Sequence, residues 1–129
     1  MDRLWTAELV EARLVEAFAA LKRAPLMQTG GMLKDVGAMR RIAGPELIVA
    51  TSRLLGSRRY EAERSALLVW AKNRAGVAEL TIVQFCARRD GLTRQGFDKM
   101  RRRGATVVAD GLNAVITLLN GPESRDEAA

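Results

Sequence analysis

The stretch from Thr81 to Arg103 reads TIVQFCARRDGLTRQGFDKMRRR, and its spacing predicts a short helix, a tight turn and a second helix. Ala87 is small, as a close crossing of two helices requires. Gly91, four residues on, can take the left-handed conformation that other residues resist. Leu92 follows as an apolar plug. Thr93 suits the N-cap of the second helix, its hydroxyl accepting from backbone N–H groups one turn on. Phe97 and Met100 then fall on the side that turns back to the first helix.

Small residue, glycine, plug, hydroxyl cap and apolar anchor, in that order, resemble the DNA-binding helix-turn-helix. On that pattern the opposite side of the second helix presents Thr93, Arg94, Gln95, Asp98, Lys99 and Arg102, side chains suited to base edges in a major groove. Arginine suits guanine and glutamine suits adenine. Asp98 repels phosphate, so it accepts from a cytosine amine or caps Arg94 or Arg102. Lys72, Arg88, Arg89, Arg101 and Arg103 are candidates for phosphate contact, which positions a protein without specifying sequence. The competing expectation is an ordinary helical hairpin with a solvated basic face. Charge favours the first. From Leu80 to Arg103 there are seven Lys/Arg and two Asp/Glu, most of the chain's net charge of +6.

A chain of 129 residues is long enough for one domain with its own hydrophobic core. Hydrophobic residues at 48% and charged residues at 28% are ordinary, but a pI near 10.4 points to a polyanionic partner. There is no histidine, which removes Ser-His and Cys-His catalysis and the usual zinc sites. The single cysteine, Cys86, reads as a small core residue of the first motif helix. Pairs such as Glu61 with Glu63, or Asp98 with Asp110, are explained by solvated helix faces. The expectation is therefore a non-enzyme without cofactor or metal. The opening MDRLWTAELV is acidic and lacks a long apolar run, so a cytoplasmic protein without signal peptide or membrane span is expected.

Along the chain, Thr6 reads as an N-cap, with Trp5 and Val10 as a hydrophobic staple. A helix to about Arg23 buries Val10, Leu14, Ala17, Phe18 and Leu21, leaving Glu11 outside the stripe, and Ala24-Pro25 ends it. Residues 26–43 combine a Gly30-Gly31 connection with helical spacing at Leu33, Val36, Met39 and Ile42. The phosphate-loop pattern GxxxxGK[ST] is absent there, and Arg40 and Arg41 suit phosphate or solvent equally. Gly44-Pro45 opens a helix with Leu47, Ile48, Leu54 and Leu55 on its apolar side. Ser57-Arg58-Arg59 forms a basic turn. Tyr60 to Ala75 is a helix with Leu67, Trp70 and Ala71 inside, and Glu61, Glu63, Arg64, Lys72 and Arg74 mostly outside. Ala105 to Leu119 is apolar apart from a stripe at Thr106, Asp110, Asn113 and Thr117, so it must be largely covered. Either a homodimer through Ala105–Leu119 covers it, or the region from Met32 to Leu55 wraps it within one chain. The expected fold is an all-α bundle of about five helices spanning residues 1–121, with a disordered acidic tail over 122–129.

WTAELVEARLVEAFAALKRAP at the start, SALLVWAKNRAGV, and CARRDGLTRQGFDKMRR followed by a helix ending LLNG together resemble a small family of bacterial and prophage helix-turn-helix proteins. That family is known mainly as a domain of unknown function, and its C-terminal motif is related to the DNA-reading end of sigma factors. The likeness covers both ends of the chain and not residues 26–59. Where the family's second motif helix is rich in Trp and Arg, this chain has Gly96, Phe97 and Asp98. The resemblance implies double-stranded DNA as partner and supplies no catalytic residues. Two functions follow as expectations. One is a DNA-binding protein, a transcriptional regulator or a phage-related component such as a terminase small subunit. The other is a helical module whose basic face meets an acidic partner such as RNA polymerase.

Overall fold

The computed structural model describes residues 4–23, 42 and 44–120. Among these the chain is all-α, without a strand: α1 (Ala7–Arg23), α2 (Gly44–Leu54), a 3-10 turn (Arg58–Tyr60), α3 (Glu61–Ala75), α4 (Ile82–Ala87) and α5 (Arg94–Asn120). The helix expected over 32–42, the Gly30-Gly31 connection, Arg40 and Arg41, and the acidic tail lie outside the described residues, although Ile42 itself is buried in the core.

Local chemistry sets each boundary. The Leu9 N–H donates to Thr6 Oγ1 at 3.1 Å, capping α1, and the staple residues Trp5 and Val10 are both buried. Gly44, at φ +62°, turns the chain into α2, with Pro45 in its first turn. Gly76, at φ +77°, closes α3, its N–H donating to the Asn73 carbonyl at 3.2 Å while the Val77 N–H donates to the Lys72 carbonyl at 3.0 Å.

The motif's second helix and the apolar stretch after it are one continuous helix of 27 residues. Phe97, Arg101, Ala105, Val108, Leu112 and Ile116 recur every three or four positions and form its buried stripe. The first part of that stripe meets Ala66 and Phe85 in a small cluster. The rest joins α1, α2 and α3 in the main core, beside Trp5, Val10, Leu14, Leu47, Leu67 and Ala71. Each large side chain so buried contributes about 1.5–3 kcal/mol. Two glycines let α5 approach its neighbours. A Cβ on Gly104 would stand 3.0 Å from the Glu63 backbone oxygen, and one on Gly111 would stand 2.7 Å from a Leu54 methyl. Asn113 belongs to the expected polar stripe and ties down the chain's start. Its Oδ1 accepts from the Trp5 N–H at 3.0 Å, and its Nδ2 donates to the Trp5 carbonyl at 3.0 Å.

Three expectations change. Ala87 is exposed at the end of α4 and makes no close helix crossing; Gly104 holds that role, between α3 and α5. Glu63 is buried rather than outside, because Gly104 brings α5 directly onto it. The surplus apolar surface that motivated a dimer is taken up within the chain: Ala105, Val108, Ala109, Leu112 and Ile116 are buried against α1, α2 and α3, leaving Leu118 and Leu119 exposed.

Gly104→Ala should lower unfolding free energy by about 1–3 kcal/mol in urea denaturation, even though alanine is the better helix former by about 1 kcal/mol. Its new methyl meets backbone, which cannot rotate away. Gly111→Ala meets only the flexible end of Leu54 and should cost less. Equal losses would show that α3 and α5 do not depend on the glycine contact. Leu112→Glu should unfold the chain rather than change its association state, read by circular dichroism beside light scattering; a folded variant would place Leu112 outside the core.

Candidate nucleic-acid interface

Residues 76–93 are placed by side-chain clamps. Asn73 Nδ2 donates to the Val69 carbonyl at 2.8 Å and to the Leu80 carbonyl at 2.9 Å, fixing the loop that leads into α4. Thr81 and Gln84 form a reciprocal capping box: the Gln84 N–H donates to Thr81 Oγ1 at 3.0 Å, and the Thr81 N–H donates to Gln84 Oε1 at 2.9 Å. This start signal, a threonine followed three residues later by glutamine, stands plainly in the sequence and was missed beside the glycine turn. Gly91 takes φ +73°, as its position predicts. Thr93 caps α5, its Oγ1 accepting from the Gly96 N–H at 2.9 Å. Phe97 meets Phe85 edge-on, with ring centroids 5.5 Å apart at 71°. Leu92 and Met100 pack partly buried beside this pair, with Cys86.

Of the residues expected to face bases, Thr93, Arg94, Gln95, Lys99 and Arg102 are exposed, and Asp98 is half-buried. Asp98 binds two arginines: its Oδ2 accepts from Arg94 Nε at 3.3 Å and its Oδ1 from Arg101 Nη2 at 3.2 Å. The expected partner Arg94 is therefore found, whereas Arg101 takes the place foreseen for Arg102. Among the phosphate candidates, Arg88 and Arg103 are exposed. Arg103 Nε lies 3.7 Å from Glu63 Oε2. Arg89 donates to Glu61 Oε2 at 3.1 Å and covers the Phe85 ring at 4.9 Å. Arg88, Lys99 and Arg102 form no ion pair among the described residues.

Two candidates do not join this corner. Arg101 is 8% exposed: it lies on the stripe that Phe97 and Ala105 continue, binds Glu11 of α1 and Asp98, and stacks over Trp70 at 4.6 Å. It is an internal ion, not a phosphate contact. Glu11, expected outside, is drawn in by it. Lys72 places its ammonium over the Phe18 ring of α1 at 5.7 Å.

Three of the four carboxylates considered for acid–base work are engaged by arginine, Glu61 by Arg89, Glu63 by Arg103, and Asp98 by Arg94 and Arg101. Among the described residues no three His, Cys, Asp or Glu are grouped as a metal site, and no helix is long and apolar enough to cross a membrane. A shallow hollow beside the end of α3, lined by Val69, Lys72, Ala78, Glu79 and Leu80, offers one carboxylate and one amine. No family model matches the chain, and no curated protein or solved structure matches it.

The hydrogen bond and charge of Arg89, followed by the Ser65 hydroxyl, hold the Glu61 carboxyl below its ordinary pKa. A carboxyl lowered on folding stabilises above its unfolded pKa, and that contribution is lost as pH falls through the lowered folded value. In carboxyl NMR titration, Arg89→Ala should return Glu61 to the ordinary glutamate range; an unchanged titration would deny the pair in solution. A second check concerns Arg101. Glu11→Ala should cost about 1–3 kcal/mol of stability by leaving a buried guanidinium with one carboxylate fewer. Adding Arg101→Met should recover part of that loss, and a double-mutant cycle by denaturation would show strictly additive losses if Arg101 were instead solvated.

Proposed function

We propose that the chain binds duplex DNA through α4, the Gly91 turn and the first two turns of α5, used as a helix-turn-helix. The carrying observation is the outer side of α5, where Gln95, Lys99 and Arg102 stand exposed and the two cations have no internal ion pair. Nearby cations that serve the fold are, by contrast, paired. An α-helix with side chains is about 10–12 Å across and a major groove about 12 Å wide, so α5 can enter by its N-terminal end. That end also carries the positive pole of the helix dipole.

Arg94 and Gln95 are the base readers in this arrangement, with Lys99 and Arg102 beside them. Arg94 leaves or shares Asp98 when it meets guanine, since Asp98 retains Arg101. Arg88, Arg89 and Arg103 meet phosphates. Lys72 and Arg101 take no part. Transcription regulation or DNA packaging is the setting proposed for this binding.

Fluorescence anisotropy with labelled duplex across a salt series tests this. About three phosphate contacts should make affinity fall by roughly one and a half orders of magnitude between 50 and 200 mM salt. Arg94→Ala or Gln95→Ala should cost about 1–3 kcal/mol on a selected site and relax its sequence preference, while Arg89→Ala weakens all duplexes alike. Salt-independent affinity, or no binding at low salt, overturns the proposal and leaves the basic face to an acidic protein partner.

A further inference from the structure

Among the described residues, the 3-10 turn before α3 is a strongly charged feature that the proposed base and phosphate contacts leave unused. Arg58 and Arg59 are both exposed in it, and neither forms an ion pair among the described residues. Arg59 lies over the Tyr60 ring at 5.4 Å. The turn runs directly into Glu61, the first residue of α3, and Glu61 Oε2 accepts from Arg89 Nη2 at 3.1 Å. That bond ties the turn after α4 to the start of α3, although 28 residues separate them. The 3-10 turn and the turn carrying Arg88 and Arg89 therefore adjoin the two sides of one ion pair. Arg64 also acts on Glu61 through its charge, one helical turn further on.

Several guanidiniums therefore share one corner in which Glu61 is already committed to Arg89. Like charges at neighbouring turns repel, and neither Arg58 nor Arg88 forms an ion pair among the described residues. Their packing role is small, since both are exposed. An external polyanion relieves the repulsion. A duplex presents one phosphate charge for about every 1.7 Å of its axis, so a helix end seated in the groove brings phosphates past the adjoining surface.

We infer that Arg58 and Arg59 form a second phosphate-binding element, gripping the backbone of the same DNA duplex beside the Gly91 turn, with the Glu61–Arg89 bond holding the two elements in register. This rests on the proposed DNA binding. It adds to it a contact outside the motif that makes no distinction between sequences.

The test compares Arg58→Ala/Arg59→Ala with a charge-matched control, Arg13→Ala/Arg53→Ala, whose exposed arginines lie on α1 and α2. Both are titrated against a random-sequence duplex at several salt concentrations, and thermal melts confirm that both are folded. The turn variant should lose about tenfold or more in affinity, and its log–log salt slope should shrink by about two, near 0.9 for each phosphate released. The control should keep the wild-type slope. A turn variant with the wild-type slope overturns the inference and leaves the DNA proposal standing. Equal losses in both variants overturn it too, because net charge alone would then explain them. A wild-type chain that binds no duplex at low salt removes the underlying proposal itself.

Discussion

Everything in this fold depends on how closely α5 can lie on α3. At Gly104 the absent side chain allows the helix surface to reach the Glu63 backbone oxygen, which even a Cβ would approach to 3.0 Å. That point lies between the two clusters. Before it, Phe97 closes on Phe85 and Ala66; after it, Ala105, Val108 and Leu112 enter the main core. A wider spacing would loosen both at once, because α5 is one rigid rod through both. The candidate binding surface thus inherits its orientation from the core: the residues that aim Arg94 and Gln95 outward are the same helix's buried residues two to six turns away.

The close approach also explains the charges. Glu63 is buried because Gly104 covers it, and Arg103 follows it as a counter-ion. Arg101 lies on the core-facing stripe, where a guanidinium requires partners, and Glu11, Asp98 and the face of Trp70 supply them. A run of three arginines, Arg101 to Arg103, thereby divides by helix geometry into one internal ion, one exposed unpaired cation and one partly paired cation. Asp98 links the internal ion to Arg94 at the surface, so it is held by two arginines and screens little else.

Much of this was legible in the sequence, where local chemistry decides. Gly91, Thr93, Phe97, Thr6 with Trp5 and Val10, and Gly76 all act as their residue types and spacing predict. What escaped depends on contacts between distant segments. Arg101 looks like its neighbours until the stripe from Phe97 is carried past Gly104, and nothing local announces that Glu11, ninety residues earlier, will meet it. Reading residues 105–119 as a separate helix led to the surplus apolar surface and the dimer. As part of one rod its direction is set by Phe97, and α1, α2 and α3 cover it. The bond from Glu61 to Arg89, which ties the start of α3 to the turn after α4, was hidden for the same reason.

The internal burial of that helix bears on how DNA would be held. Leu112 and Ile116 are committed to the core, so of that helix's apolar residues mainly Leu118 and Leu119 stand exposed, and in the proposed complex one chain would present one short reading helix. Two helical turns meet few base pairs, and Asp98 competes with guanine for Arg94. In the proposed complex, sequence-reading contacts alone would be too few for tight binding, and phosphate contacts would supply most of the affinity. The cations left without internal partners are arranged for that balance. Lys99 and Arg102 stand exposed on the outer face of α5, and Arg58, Arg59 and Arg88 are exposed outside it, all without an ion pair among the described residues. A binder built this way gains affinity from position and charge before it gains choice of sequence.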